Sequence, residues 1–137
     1  MALAFPIAGL IGRAISGPVD AVGPALIGGA LTGAGLGAAQ WLAARHAFGG
    51  AAAWIGASAA GYGLGLAAGA ALVGYETDLG SLAAMGAVSG VVLGISQGLT
   101  LGAQGRRELA VGWGVAMPAL LAIGWSVTTV IGVDVDE

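Results

Sequence analysis

Two glutamines are the polar residues best placed to do chemistry in this chain, because each ends a regular series of glycines. Gln40 ends the first series and Gln97 the second, in each case three positions after the last glycine. Positions i, i+4 and i+7 of a helix share one face, so each amide lies on the same stripe as its glycines. The glycines, spaced four residues apart, are Gly29, Gly33 and Gly37 in the first series and Gly86, Gly90 and Gly94 in the second.

Two interpretations fit this polar pair. In the first, each glycine series lets two helices approach closely, and Gln40 and Gln97 complete the contact with hydrogen bonds between helices. In the second, the two amides lie near the constriction of a channel and select water or an ion. We favour packing, because a glycine series requires a close neighbour and not an open lumen. We expect the two series to meet at one internal seam.

Catalysis is not indicated by any group of residues. His46 is the only histidine, no carboxylate accompanies it, and the chain has no cysteine. A nucleophile–base pair and a metal site both need such partners. Glu108 follows Arg106 and Arg107 directly, so a solvated ion pair is a better interpretation than an intramembrane proton carrier. We therefore predict a protein that is not an enzyme and that uses no cofactor and no metal ion.

The elements that position these residues must be membrane helices. Of the 137 residues, 58% are hydrophobic and only 8% are charged, whereas a soluble domain carries about a quarter charged residues. The 28 glycines then serve as packing positions, because a segment in lipid must form a helix whether or not it contains glycine. The net charge of −3 argues against a nucleic-acid partner. The predicted environment is a lipid bilayer.

Hydropathy divides the chain into a short N-terminal segment and four spans. Residues 1–18 contain an apolar run too short to cross a bilayer, which predicts an interfacial or half-inserted helix. Pro118 removes one helical hydrogen bond and is expected to kink the last helix near Gly114. The fold class is therefore predicted to be an all-α polytopic membrane protein. Its four transmembrane helices are expected at about residues 19–44, 51–73, 79–103 and 109–133.

Aromatic and cationic residues lie near the predicted helix ends, as is typical of a membrane–water interface. The positive-inside rule places the arginine-containing loops 45–50 and 104–108 in the cytoplasm. The charged residues of loop 74–78 and of the C-terminus are all acidic. These two segments are predicted to lie on the outer side of the inner (cytoplasmic) membrane. An alternative use of the tryptophans, including Trp125, is a pocket for a lipid or a chromophore. The predicted interface anchors are Trp41, Arg45, Trp54, Arg106, Arg107 and Trp113.

The two halves of the chain are similar to each other. Gly29–Gln40 aligns with Gly86–Gln97 at a spacing of 57 residues, which matches all three glycines and the glutamine. A basic turn and a tryptophan follow each copy, and one inserted residue keeps the later parts aligned. Repeat 1 is predicted at residues 19–78 and repeat 2 at 79–137. A unit of two spans returns the chain to its starting side, so the two helical hairpins have the same orientation.

The same alignment extends to the ends of the chain. Residues 1–17 align with 58–74, so they are interpreted as the remnant of half a second span. The sequence stops where the first span of a further repeat would begin. Either two units suffice, or the chain is a fragment of a longer repeat protein.

The first unit, G-x3-G-x3-G-x2-Q-W, followed by a basic turn at Arg45 and a second span with Trp54, resembles uncharacterised bacterial polytopic membrane proteins with duplicated helical hairpins. The resemblance covers about residues 27–136, and the second copy departs from it with Gly98 at the position of Trp41. It implies no activity.

Three hypotheses for the function follow. The first is a structural or accessory subunit that packs through glycine-zipper faces. The second is a small channel or transporter formed by the bundle or its oligomer, and the third is a lipid- or chromophore-binding bundle. The expected partner is a second copy of the chain or another membrane protein.

Overall fold

The fold is all-α, as predicted. The computed structural model describes residues 4–130, with side chains described for residues 7–127. All regular secondary structure in this part of the chain is helical. The last residues of the predicted fourth span and the C-terminal acids lie outside it. The five helices are α1 (Ala4–Ser16), α2 (Val22–Phe48), α3 (Ala51–Leu72), α4 (Leu79–Ala103) and α5 (Arg107–Val130).

Four of these helices are long and apolar enough to cross a bilayer. The most apolar stretches of α2 to α5 have mean hydropathies between 1.4 and 1.8. α3, with 22 residues, extends about 33 Å at 1.5 Å per residue, which matches a hydrocarbon core about 30 Å thick. α1 has 13 residues and is too short to cross. The chain is therefore a multi-pass membrane protein with a short N-terminal helix, and the prediction of four spans is confirmed.

The helices pack in chain order, each against the next. Gly29 lies against Leu66, and Gly37 lies against Ile55, so α2 and α3 are antiparallel. α4 and α5 form a second antiparallel hairpin in the same way. Half of the most apolar stretch of α3 is buried, against 11% for that of α5. α3 is therefore the central helix and α5 lies at one edge, while α1 packs on α2 at the other.

Each glycine series packs within its own hairpin. A Cβ atom at Gly33 would lie 2.7 Å from the Cβ of Tyr62 on α3, closer than two packed carbon atoms can lie. A Cβ atom at Gly90 would lie 2.6 Å from the carbonyl oxygen of Met117 on α5. The two series therefore face different helices, and the expectation that they meet at one seam is wrong.

A third glycine series joins the two hairpins. Gly61, Gly65 and Gly69 on α3 face α4. A Cβ atom at Gly65 would lie 2.8 Å from the Cα of Ser89, and one at Gly69 would lie 2.9 Å from the carbonyl oxygen of Met85. Small residues let helix backbones approach closely in a membrane. α3 therefore contacts α2 through one face and α4 through another, in both cases at glycine.

Glycines and one aspartate set the helix ends. Gly49 and Gly105, in the turns after α2 and α4, have φ values of 66° and 79°, which glycine adopts at little cost. Asp78 precedes α4, and its Oδ1 accepts hydrogen bonds from the N–H groups of Gly80 at 2.9 Å and Ser81 at 3.2 Å. The Ser81 hydroxyl, together with these N–H groups, holds the pKa of Asp78 below its usual value. This carboxylate is the N-cap of α4.

The backbone of α2 is irregular near its end. Ala44 has φ −139° and ψ 37°, outside the helical region, and the helix then resumes as far as Phe48. The predicted end of this span, at about residue 44, coincides with the irregularity. α5 continues as one helix from Arg107 to Val130 with Pro118 inside it.

Candidate functional site

The two glutamines bond to each other at the centre of a buried polar cluster. Gln97 Nε2 donates to Gln40 Oε1 at 2.9 Å and to Ser58 Oγ at 2.7 Å. Gln97 Oε1 accepts a hydrogen bond from Trp113 Nε1 at 2.6 Å. One side chain on α4 thus bonds to residues on α2, α3 and α5, the three other long helices.

Each glutamine also pairs with a tryptophan of its own hairpin. Gln40 Oε1 accepts from Trp54 Nε1 at 3.3 Å, as Gln97 Oε1 accepts from Trp113. In both hairpins the glutamine lies near the end of the first helix and the tryptophan near the start of the second. The glutamines are 57 residues apart and the tryptophans 59. We call the residues of this site the amide cluster: Gln40, Trp54, Ser58, Gln97 and Trp113.

The amide cluster is enclosed by the bundle. Trp54, Ser58 and Gln97 are fully buried, and Gln40 is 7% exposed. Ser58 Oγ donates to the carbonyl oxygen of Trp54 at 2.7 Å, so this hydroxyl both donates and accepts. A buried polar group without a partner costs about 1–3 kcal/mol, whereas a hydrogen bond between membrane helices contributes about 0.6–2 kcal/mol. The paired oxygens and indole nitrogens therefore stabilise the bundle.

The two tryptophans of the cluster pack with Phe48 at the α2–α3 turn. Phe48 stacks on Trp54, with ring centroids 4.0 Å apart and an angle of 10° between the planes. Trp113 meets both rings edge to face, with its centroid 5.3 Å from that of Phe48 and 5.8 Å from that of Trp54. Aromatic pairs of this geometry contribute about 0.5–1.5 kcal/mol beyond their buried area. Phe48 lies one turn after the irregular residue Ala44.

The two arginine-containing turns are hydrogen-bonded to each other. Arg106 Nη1 donates to the carbonyl oxygen of Ala47 at 2.7 Å, and its Nη2 donates to that of His46 at 3.2 Å. Gln104 Nε2 donates to the carbonyl oxygen of Phe48 at 3.2 Å. The last carbonyl oxygens of a helix accept no hydrogen bond from within that helix. A cation near these oxygens also interacts favourably with the helix dipole. The α4–α5 turn therefore caps the C-terminal end of α2.

The two glutamines lie in the halves of α2 and α4 that are nearer these turns. Gln97 lies six residues before the end of α4, and Gln40 lies eight residues before the end of α2. These separations correspond to about 9 Å and about 12 Å along the helix axis.

The residues predicted as interface anchors occupy different positions. Trp54 is fully buried, so it lies away from the bundle surface, where an anchor contacts lipid headgroups. Trp113 is half-buried. Trp41 is also half-buried and donates from Nε1 to the carbonyl oxygen of Gly49 at 2.8 Å. The side chains of Arg45, Arg106 and Arg107 are exposed.

Ser58 of the amide cluster, and Phe48 and Gln104 beside it, were not predicted from the sequence. Ser58 lies four residues after Trp54, on the same face of α3, and this spacing is a signal that could have identified it. Phe48 lies directly before the Gly49–Gly50 turn, where an aromatic residue is available to pack on the next helix. Gln104 carries no such signal, because its acceptor is a backbone carbonyl of a distant helix.

The chemistry of the amide cluster is hydrogen bonding between neutral groups. Amide, indole and hydroxyl side chains do not ionise near neutral pH, so the cluster carries no charge. Among the residues that the structure describes, no group of three His, Asp or Glu side chains is placed to hold a metal ion.

In comparisons with known proteins, the chain matches no family model, no curated protein and no solved structure.

Proposed function

We propose that this protein is a structural or accessory membrane subunit, without catalytic activity, whose role is carried by helix packing. The observation that carries the proposal is the Gln97 side chain, which bonds to partners on three other helices. These bonds select which helices are neighbours and fix their relative height in the membrane. The glycine series then bring the backbones into contact. Such a bundle offers a rigid surface to a second copy or to another membrane protein.

A channel with the two amides at its constriction is the competing hypothesis. An amide that lines a pore needs free donors or acceptors to replace the hydration shell of the passing species. Gln40 Oε1 already accepts hydrogen bonds from Gln97 and Trp54, and Gln97 Nε2 already donates twice. The bonding of these amides therefore favours packing over conduction.

Removal of both amides is expected to lower stability without changing permeability. In the Gln40→Leu/Gln97→Leu variant, water, proton and potassium fluxes through reconstituted vesicles should equal those of the wild type, because the amides bond to each other. Stopped-flow light scattering and a pH-sensitive dye measure these fluxes. The channel hypothesis would be established instead by a wild-type flux that exceeds that of protein-free vesicles and is lost in the double variant.

We infer that the two hairpins arose by duplication, because their internal contacts recur. Gly29 faces the carbonyl oxygen of Tyr62, and Gly86 faces that of Leu121. The glycines are 57 residues apart and their partners are 59 residues apart. The difference of two residues is one more than the single insertion expected from the sequence. This recurrence supports repeats at residues 19–78 and 79–137 with the same orientation.

The contact between α1 and α2 has the same form as the contact between α3 and α4. A Cβ atom at Gly12 would lie 2.7 Å from the carbonyl oxygen of Gly28, and one at Gly69 would lie 2.9 Å from that of Met85. Both members of the second pair are 57 residues beyond those of the first. The correspondence supports the hypothesis that the N-terminal segment derives from half of a second span.

We propose that the arginine-containing turns face the cytoplasm and loop 74–78 the outside of the inner membrane. The chain has no cysteine, so single Glu76→Cys and Arg107→Cys variants give unambiguous labelling. A membrane-impermeant maleimide is expected to label Glu76→Cys in intact cells, and to label Arg107→Cys only after permeabilisation. The reverse pattern would overturn the orientation.

A further inference from the structure

We propose that the arginine-containing end of the bundle binds the headgroup of an anionic phospholipid. The site consists of the exposed side chains of Arg45, His46, Arg106 and Arg107, and we call it the basic end. The proposal goes beyond the packing role, and it does not depend on the bonds within the amide cluster.

Hydrogen bonds bring the charges of the basic end together from two distant parts of the sequence. Arg106 donates to the backbone of His46 and Ala47, which are 60 and 59 residues away in the chain. A Cβ atom at Gly49 would lie 2.8 Å from the side-chain amide of Gln104, so the two turns are in direct contact. Arg45 and Arg107 are each adjacent in sequence to a residue of this contact. The arginines of both turns therefore lie at the same end of the bundle.

The basic end has more basic than acidic residues, whereas the whole chain has more acidic than basic residues. The chain has seven acidic and four basic residues, and three of its four arginines are in the basic end. Glu108 is the one acid beside them, whereas loop 74–78 has Glu76 and Asp78 and no base. Like charges held together repel each other, and a bound anion relieves that repulsion. Basic clusters at the membrane surface attract anionic lipids for the same reason.

The shape of the basic end fits an amphiphile. A shallow, open part of the surface is formed by the consecutive residues Gly105, Arg106, Arg107, Glu108 and Leu109. The guanidinium of Arg106 has five N–H donors, of which two are used in the bonds to α2. Leu109 is 40% exposed. A phosphate can therefore lie at the arginines while the apolar part of the same molecule contacts Leu109.

The test compares three titrants against purified full-length protein in a neutral detergent. Short-chain phosphatidylglycerol, short-chain phosphatidylcholine and inorganic phosphate are added separately, and binding is followed by native mass spectrometry and by the thermal unfolding midpoint. Phosphatidylglycerol is expected to bind at least about tenfold more tightly than phosphatidylcholine, because about 1 kcal/mol per nearby Arg corresponds to about fivefold. Equal binding of the two lipids would overturn the proposal. Inorganic phosphate that competes at equal concentration would also overturn it, since the site would then recognise a soluble anion.

Matched variants locate the effect. Arg107→Gln is expected to weaken phosphatidylglycerol binding about fivefold, and Glu108→Gln is expected to strengthen it. Arg13→Gln is the control, because it removes the same charge from α1, at the end of the helix near Gly28 and away from the basic end. Arg106 is left unchanged because it caps α2. An equal loss in Arg13→Gln would contradict the assignment, while the flux and stability tests of the packing role would stand unaffected.

Discussion

Gly90→Leu is expected to push α5 away from α4 and to lower the free energy of unfolding by about 3 kcal/mol or more. A Cβ atom at this position would lie 2.5 Å from the Cα of Pro118 and 2.6 Å from the carbonyl oxygen of Met117. These are backbone atoms, so no change of side-chain rotamer relieves the clash and the helices must separate. Reversible unfolding in mixed micelles, followed by circular dichroism, measures the effect.

Gly112→Leu is the matched control for this variant. Gly112 lies on α5 and is exposed, and a Cβ atom there would meet no atom within 4 Å. The same substitution should therefore leave the free energy of unfolding nearly unchanged. A comparable loss in both variants would mean that bulk on these helices, and not contact at the glycine series, limits stability.

Gln97→Ala is the second substitution with a large expected effect, a loss of about 2–4 kcal/mol in the free energy of unfolding. It removes three hydrogen bonds and leaves Gln40, Ser58 and Trp113 each without one partner. These groups are enclosed by the helices of a membrane protein, where water is not available to replace the bonds. The same unfolding assay applies.

A control and a double-mutant cycle separate these hydrogen bonds from the loss of volume. Thr100→Val on the same helix removes a hydroxyl that bonds only to the carbonyl of Gln97 in its own helix, at 2.6 Å, so its effect should be small. Trp113→Phe combined with Gln97→Ala should cost less than the sum of the two single variants, because both remove the same bond. Additive losses would show that the amide–indole bond contributes nothing.

The glycine spacing predicts which face of a helix is packed closely, but not which helix it contacts. Gly29 to Gly37 and Gly86 to Gly94 have the same spacing, and each series faces the second helix of its own hairpin. Gly61, Gly65 and Gly69 have the same spacing and make the contact between hairpins. Only the tertiary arrangement distinguishes these roles, because all three series look alike in the sequence.

The burial of Trp54 shows a different limit of the sequence. A tryptophan near a helix start normally lies at the membrane interface, and nothing local distinguishes Trp54 from such an anchor. In the fold Trp54 stacks on Phe48, across the turn between α2 and α3, and donates to the oxygen of Gln40. Arg106 is a similar case, since its acceptors are backbone carbonyls about 60 residues away. Contacts of this kind leave no periodic pattern.

The division of hydrogen bonds within the amide cluster has a consequence for biogenesis. The indole of Trp54 bonds to Gln40, and that of Trp113 bonds to Gln97, so each pair is completed within one hairpin. A nascent hairpin can thus leave the insertion machinery with its amide oxygen already satisfied, before the other hairpin is present. Only the donors on Gln97 Nε2 depend on the first hairpin. The last bonds to form during assembly in the membrane are therefore those that join the two halves of the chain.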